Sequence, residues 1–156
     1  MSGVIHSVNV SENGGVPKLP IRAATIRFEG VEGDHNRFRT ERRGGDPGRA
    51  VNLFSLERIE QLKEEGHAIE VGSTGENLTI EGVDWDNLEV GMMLRVGKAT
   101  LELSEPCVPC SKIGESFMEQ NFSRIDHDKE SGWSRWSARV VDEGLVCVGD
   151  SVQILP

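Results

Sequence analysis

The sequence lacks the features that membrane-spanning and disulfide-stabilised proteins need. Charged residues and glycines interrupt every apolar stretch, so none approaches the roughly 18 to 20 apolar residues of a membrane-spanning helix. The N-terminal region has no apolar run typical of a secretory signal, and the 3 cysteines are an odd number. These absences predict a soluble protein of a reducing, cytoplasmic compartment that needs no disulfide bonds.

The sequence also lacks an excess of positive charge. It has 26 acidic against 17 basic residues and a formal net charge of -9. Nucleic acids and anionic membranes both require a basic face, so we expect neither as a partner.

The basic residues are concentrated between residues 35 and 49. That glycine-rich segment contains Arg37, Arg39, Arg42, Arg43 and Arg49, against Glu41 and Asp46. This concentration is typical of a site for a small anion, although pairing with surface carboxylates would explain the arginines equally well.

Length and glycine spacing predict one mainly β domain with few helices. A chain of 156 residues is long enough for one core, so we expect a single domain over residues 1–156. The 18 glycines separate short β-branched and apolar runs. We predict strands at residues 4–10, 22–28, 50–54, 77–80, 93–96, 100–104, 137–141 and 151–155.

Two segments predict helices. A capping Ser55, a stripe of apolar residues and a terminating Gly66 indicate a helix of about three turns after residue 55. A weaker pattern over residues 112–121 would place Ile113 and Phe117 on a buried side.

The densest chemical signal is the Cys-x-Pro-Cys run from Cys107 to Cys110, for which four interpretations compete. The cysteines can be buried core residues. They can bind zinc, although the sequence has no second Cys-x-x-Cys and no paired-histidine motif. They can form a redox dithiol, although such domains alternate strands and helices. Finally, Cys110 can act alone as a thiolate that binds a soft metal or carries sulfur.

Several motifs, taken in order, resemble one known family. They are Gly33-Asp34-His35, Gly44-Gly45-Asp46-Pro47-Gly48-Arg49-Ala50-Val51, Gly75-Glu76-Asn77-Leu78-Thr79, Val90-Gly91 with Arg95-Val96-Gly97, and Glu105-Pro106-Cys107-Val108-Pro109-Cys110-Ser111-Lys112. In type, order and spacing they resemble MOSC domains, named for the C-terminal domain of molybdenum cofactor sulfurases. The resemblance runs from about Ile5 to the final predicted strand and so covers nearly the whole chain.

The resemblance implies a compact MOSC-type β-barrel and a cleft for the molybdenum cofactor (molybdopterin), an anionic pterin dithiolene that carries a phosphate. The family's essential cysteine follows a proline, which here makes Cys110 the metal ligand or the sulfur carrier. One implied activity is oxidoreductase chemistry on N-hydroxylated compounds, with electrons from a separate donor protein. The separate donor is expected because the sequence has no flavin or iron-sulfur motif. Another implied role is sulfur transfer or binding with a sulfur-donor protein, since the sequence shows no pyridoxal phosphate domain.

The resemblance also supplies candidates for cofactor binding. Arg49 and Arg43 lie in or beside the second motif, and a guanidinium offers paired donors to a phosphate or pterin. Asn77 can donate its amide to the pterin or simply cap a turn. His35 can face the cleft or be structural, and Arg139, on a predicted strand, is a weaker candidate of the same kind.

Two residues close to Cys110 complete the candidates. Lys112 lies two residues further on and can favour the thiolate or bind an anionic substrate, or can simply be solvated. Cys107 departs from the commonest family pattern, in which many members have arginine. The departure removes one cation and adds a second thiol, which keeps the redox alternative open.

Overall fold

The computed structural model describes residues 2–35 and 45–156, and this part of the chain is mainly β. The strands are β1 Ser2–Val10, β2 Leu19–Ile21, β3 Ala23–Arg27, β4 Gly30–Val31, β5 Val51–Ser55, β6 Leu78–Glu81, β7 Met93–Val96, β8 Ala99–Pro106, β9 Trp136–Asp142, β10 Gly144–Cys147 and β11 Ser151–Ile154. The α-helix is α1 Leu56–Glu64, and short 3-10 segments occupy Pro47–Arg49, Trp85–Asn87, Ser111–Ser116, Met118–Gln120 and Phe122–Ile125. The expected mainly β fold with few helices is confirmed.

Seven strands close into a barrel. Its order is β1, β6, β5, β9, β8, β7 and β11, and β11 pairs back onto β1. All these neighbours are antiparallel except β5 and β6, which are parallel and joined by a connection that contains α1. β2 extends the barrel sheet beside β1, and β10, β3 and β4 form a small second sheet.

The strands of the barrel carry much of the buried apolar core, on both faces of the sheet. Leu53, Phe54, Leu78, Ile80 and Leu101 are fully buried along β5, β6 and β8. Burying one such side chain contributes about 1.5–3 kcal/mol, so the paired β5 and β6 are among the main stabilising elements of the barrel.

Helix α1 forms where the sequence predicts it. The Ser55 hydroxyl accepts a hydrogen bond from the Arg58 N–H at 3.1 Å, and Ile59 and Leu62 are buried against the barrel. Gly66 follows with φ +103°, the left-handed conformation that ends helices. Within residues 2–35 and 45–156, no helix combines the length and apolar character required to cross a membrane.

The second predicted helix, over residues 112–121, is wrong. The chain forms two 3-10 segments separated by an extended Phe117, and Glu119 and Gln120 adopt φ of 53° and 55°. Ile113 and Phe117 are buried as expected, but the segment does not form one continuous helix. Packing of these two side chains overrides a weak helical propensity.

Three short strands, β2, β4 and β10, are absent from the sequence prediction. β10 pairs with β3, and its first residue, Gly144, lies against the β7–β8 turn. A Cβ on Gly144 would lie 2.3 Å from the Lys98 carbonyl oxygen and 2.9 Å from the Ala99 nitrogen. Both obstacles are backbone atoms, so a side chain here requires the strands to separate.

Gly144→Ala should therefore lower the free energy of unfolding by about 1–3 kcal/mol, the usual cost of overpacking. Urea denaturation followed by circular dichroism measures the change. The exposed neighbour Asp142→Ala is the matched control and should change stability by less than about 0.5 kcal/mol. Equal stability of Gly144→Ala and Asp142→Ala would contradict the close approach of the two strands.

Candidate functional site

A cavity of about 220 Å³ lies where the ends of β8 and the start of β9 meet the loops after β1 and before β6. Its walls come from segments 15–18, 49–52, 74–75 and 107–113, together with His35 and Arg135. Val108 and Cys110 on these walls are exposed, so the cavity is open to solvent on their side.

The walls of the cavity are basic. Lys18, Arg49, Lys112 and Arg135 line it together with His35, and among the described lining residues none is an aspartate or a glutamate. The whole chain carries a net charge of -9. A low-dielectric cavity lined by one sign of charge focuses the field, so this one favours an anionic ligand.

The two cysteines of the Cys-x-Pro-Cys run differ in environment. Cys107 is buried, and its sulfur lies 3.1 Å from the Ser137 hydroxyl and 3.5 Å from the Asn52 side-chain oxygen. Cys110 is exposed, and both are free thiols. Both residues line the cavity, and Cys110 is the more accessible thiol, which a second protein can also reach.

Cys110 and Lys112 share one turn. The turn follows β8, and the Cys110 carbonyl accepts the Ile113 N–H at 3.1 Å, which opens the 3-10 segment Ser111–Ser116. The buried Ile113 and Cys107 anchor the two ends of this turn. Cys110 and Lys112, which lie between these two buried residues, both line the cavity.

Arg49 lines the cavity and is also held by carboxylates. Its Nη2 atom lies 2.6 Å from Glu105 Oε1, and its Nε atom lies 3.8 Å from Asp46 Oδ2. Asp46 in turn accepts the Gly48 N–H at 2.9 Å. These contacts fix the guanidinium at the wall immediately before β5.

Asn77, an expected pterin contact, takes part in hydrogen bonds within the protein. Its side-chain oxygen accepts the Asn52 N–H at 3.1 Å, and its amide donates to the Asn9 carbonyl at 3.2 Å and to Asp34 at 2.9 Å. The residue is 1% exposed and is not among those that line the cavity. Its amide connects three segments beneath the site.

His35 reaches the cavity through the same group of contacts. Lys18 Nζ lies 2.5 Å from Asp34 Oδ2, and the Ser11 N–H donates to Asp34 Oδ1 at 2.7 Å. The His35 N–H donates to the Ser11 carbonyl at 2.9 Å. Asp34 and Ser11, which directly follows β1, thus hold Lys18 and His35 at the cavity wall.

Of the two remaining candidates, the structure describes Arg139, which is not among the residues that line the cavity. Arg139 is exposed on β9, and its guanidinium donates to Glu102 Oε1 through Nε at 3.2 Å and Nη2 at 2.5 Å. Arg43 lies outside the described residues.

Arg135 is a cavity residue that sequence reasoning missed. It is 8% exposed, and its Nη1 atom donates to the Thr74 carbonyl at 2.6 Å. Its Nε–H has no hydrogen-bond partner in the described part of the chain. Arg135 lies outside the family motifs, and its only sequence signal is its position just before a predicted strand.

The segment that carries Thr74 is organised around a buried carboxyl group. Glu76 accepts hydrogen bonds from the Gly72 N–H at 2.9 Å, the Thr74 hydroxyl at 2.9 Å and the Thr79 hydroxyl at 3.0 Å. Burial raises the pKa of the Glu76 carboxyl, and these hydrogen bonds oppose the rise only in part.

Comparison with known proteins gives one family and several distant relatives. The model of the MOSC domain matches residues 40–153. The uncharacterised protein YflK of Bacillus subtilis is 26% identical over 144 residues, which are 90% of this chain and 63% of YflK. A protein named reductase from Gibberella moniliformis is 28% identical over 116 residues, 71% of this chain and 20% of that protein. The chain thus spans less than two thirds of either relative.

Solved structures share the fold. The crystal structure of YiiM from Escherichia coli superposes with a TM-score of 0.74 at 20% identity and covers 100% of this chain and 70% of that one. The YuaD protein of Bacillus subtilis superposes with a TM-score of 0.76 at 16% identity and covers 99% of this chain and 96% of that one. Together with the family match, this likeness confirms the predicted compact MOSC-type β-barrel.

The raised pKa of Glu76 should make stability depend on pH. A group whose folded pKa exceeds its unfolded value, here about 4.3, stabilises the fold below that value and loses this contribution as pH rises through the folded pKa. The wild type should therefore lose stability relative to Glu76→Gln as pH rises from about 4.3 toward neutrality. Urea unfolding at several pH values measures this difference.

Glu60→Gln is the control, because Glu60 is exposed on α1. Its difference from the wild type should not follow the same trend. A wild type that gains stability over Glu76→Gln with rising pH would contradict the raised pKa.

Proposed function

Because the chain belongs to the MOSC domain family, we propose that its cavity binds the molybdenum cofactor, with Cys110 as the metal ligand or the sulfur carrier. The family is known for molybdenum cofactor binding.

We also propose that residues 1–156 form a single domain, since β1 lies before the matched region and yet pairs with both β6 and β11 of the barrel.

One observation carries this proposal. An acidic chain places two arginines, two lysines and a histidine around one cavity with a reachable thiol, and none of the described lining residues is acidic. The cofactor is an anion with a phosphate and a thiophilic metal. Guanidinium and ammonium groups suit the phosphate, and a thiolate suits the metal, so the residues present fit the group.

The ligands available to a metal support the same interpretation. In residues 2–35 and 45–156, no three or more histidine, cysteine, aspartate or glutamate side chains cluster so that they could hold an ion. A structural zinc site uses about four protein ligands. A metal that arrives within a pterin dithiolene needs fewer, and Cys110 alone can supply one.

The chain's own residues have distinct roles in this proposal. Arg49, fixed by Glu105, presents its guanidinium toward the anionic cofactor, and His35 offers a ring nitrogen to it. Lys112 adds a positive charge to the cavity wall in the same turn as Cys110. When bound, the cofactor supplies a centre that accepts and donates electrons. Arg43 remains a candidate of the same kind as Arg49.

The proposed reaction is reduction of an N-hydroxylated compound to the corresponding amine. It consumes two electrons and two protons and releases the hydroxyl oxygen as water, and a separate donor protein supplies the electrons. The relative named reductase supports this class of reaction, although the chain spans 20% of that protein. Three free thiols fit a reducing, cytoplasmic compartment.

A sulfur-carrier role is the second candidate, and the exposure of Cys110 favours it. A sulfur-donor protein that carries a persulfide can transfer its outer sulfur to the exposed Cys110 thiol and leave as a thiol itself, and a cofactor in the cavity can then reach the Cys110 persulfide. A dithiol redox role is less well supported, because the Cys107 sulfur is buried against Ser137 and Asn52.

Elemental analysis of protein from a cofactor-producing host tests the ligand role. The wild type should contain molybdenum in near-stoichiometric amount, and Cys110→Ser should lose at least about 90% of it, since a hydroxyl is a poor replacement for a thiolate at a soft metal. Cys107→Ser is the matched control. It should keep most of its molybdenum, because the buried Cys107 sulfur faces Ser137 and Asn52.

Three results would contradict the ligand role. The first is full molybdenum content in Cys110→Ser. The second is a metal-free wild type with an oxidised Cys107–Cys110 pair and thiol-disulfide activity, which would favour the redox alternative. The third is zinc in place of molybdenum. A metal-free wild type that instead carries a persulfide on Cys110 would support the sulfur carrier.

A further inference from the structure

Arg135 is a buried cation of the cavity wall for which the described residues supply no carboxylate partner. Lys18 pairs with Asp34 at 2.5 Å, Arg49 pairs with Glu105 at 2.6 Å, and Lys112 is exposed to water. Arg135 is 8% exposed and makes no ion pair within the described residues. It differs in this respect from the other basic groups around the cavity.

An unmatched buried guanidinium is energetically unfavourable. Arginine stays protonated at any pH that a protein tolerates, so burial cannot neutralise it. The Thr74 carbonyl satisfies one N–H group, while the Nε–H has no partner in the described part of the chain. Desolvation of a charge costs several kcal/mol unless an opposite charge offsets it. An anion in the cavity would provide that charge.

The backbone holds Arg135 in place from both sides. The Trp85 indole donates to the Ser134 carbonyl at 2.8 Å, and the Cys107 N–H donates to the Arg135 carbonyl at 2.9 Å. The hydrogen bond to Thr74 fixes the end of the side chain. The guanidinium is thus already positioned before a ligand arrives, which lowers the entropic cost of binding.

We propose that Arg135 binds an oxyanion in this cavity. The oxyanion is the phosphate of the bound pterin or an anionic group of the substrate, and this identity rests on the proposed cofactor function. Binding itself does not, because the geometry requires only an oxyanion that can accept from the guanidinium.

The test uses inorganic phosphate and protein from a host that makes no molybdenum cofactor. Phosphate should raise the melting temperature of the wild type above that in chloride of equal ionic strength, by mass action on the folded state. Loss of a charge-assisted hydrogen bond should weaken phosphate binding to Arg135→Gln by about 10-fold or more. Arg95→Gln removes the same charge from an exposed position on β7 and should respond like the wild type.

A second measurement does not depend on how well the variant folds. The Nε–H resonance of Arg135, assigned in the wild type from its absence in Arg135→Lys, should shift during phosphate titration. A resonance that stays unchanged would overturn the proposal. So would equal phosphate binding by the wild type and Arg135→Gln.

Cofactor-loaded protein separates the two sources of the oxyanion. If the pterin phosphate occupies Arg135, inorganic phosphate no longer shifts its resonance. If inorganic phosphate still shifts it, the oxyanion belongs to the substrate.

The proposed cofactor function and the proposed oxyanion binding by Arg135 can each fail without the other. Protein without molybdenum from any host, but with a phosphate response at Arg135, supports this inference and contradicts the cofactor. Protein with molybdenum and no phosphate response in its cofactor-free form overturns the inference alone.

Discussion

A buried polar network is the constraint on which the candidate site depends. Asn9 on β1 donates to the Glu76 carbonyl and to Thr79, and its backbone exchanges hydrogen bonds with Asn77. Asn77 in turn reaches Asp34, which holds Lys18. Buried polar groups are costly unless they are satisfied, so these hydrogen bonds fix the loops around the barrel in one arrangement. Removing one partner would disturb several walls of the cavity together.

The charge distribution follows from this arrangement. Asp34, Asp46 and Glu105 lie against Lys18 and Arg49 and are not among the described residues that line the cavity. A ligand in the cavity would therefore meet cations and a thiol, whereas the protein as a whole carries a net charge of -9. The placement of the charges, and not the composition, is what would favour an anion there.

Sequence reasoning predicted the parts that local pattern specifies. Strands β8 and β11, in which apolar and polar residues alternate, and the capped α1 are predictable because their signals are short-range. The helix predicted over residues 112–121 is wrong, since distant packing decides the path of that segment. Motif resemblance predicts Asn77 as a ligand contact, and the structure shows its amide in the buried network and outside the described residues that line the cavity. The same resemblance gives no sign of Arg135. Arg135 reaches the cavity only through long-range contacts with Thr74, Cys107 and Trp85 by way of Ser134.

We propose that the Cys110 sulfur faces the metal of an anionic cofactor. X-ray absorption spectroscopy at the molybdenum edge tests this proposal, because it counts the sulfur atoms around the metal. The wild type should show one thiolate sulfur more than the cofactor itself supplies. The molybdenum that Cys110→Ser retains should lack that one sulfur. An identical sulfur count in the two proteins would rule out Cys110 as the metal ligand.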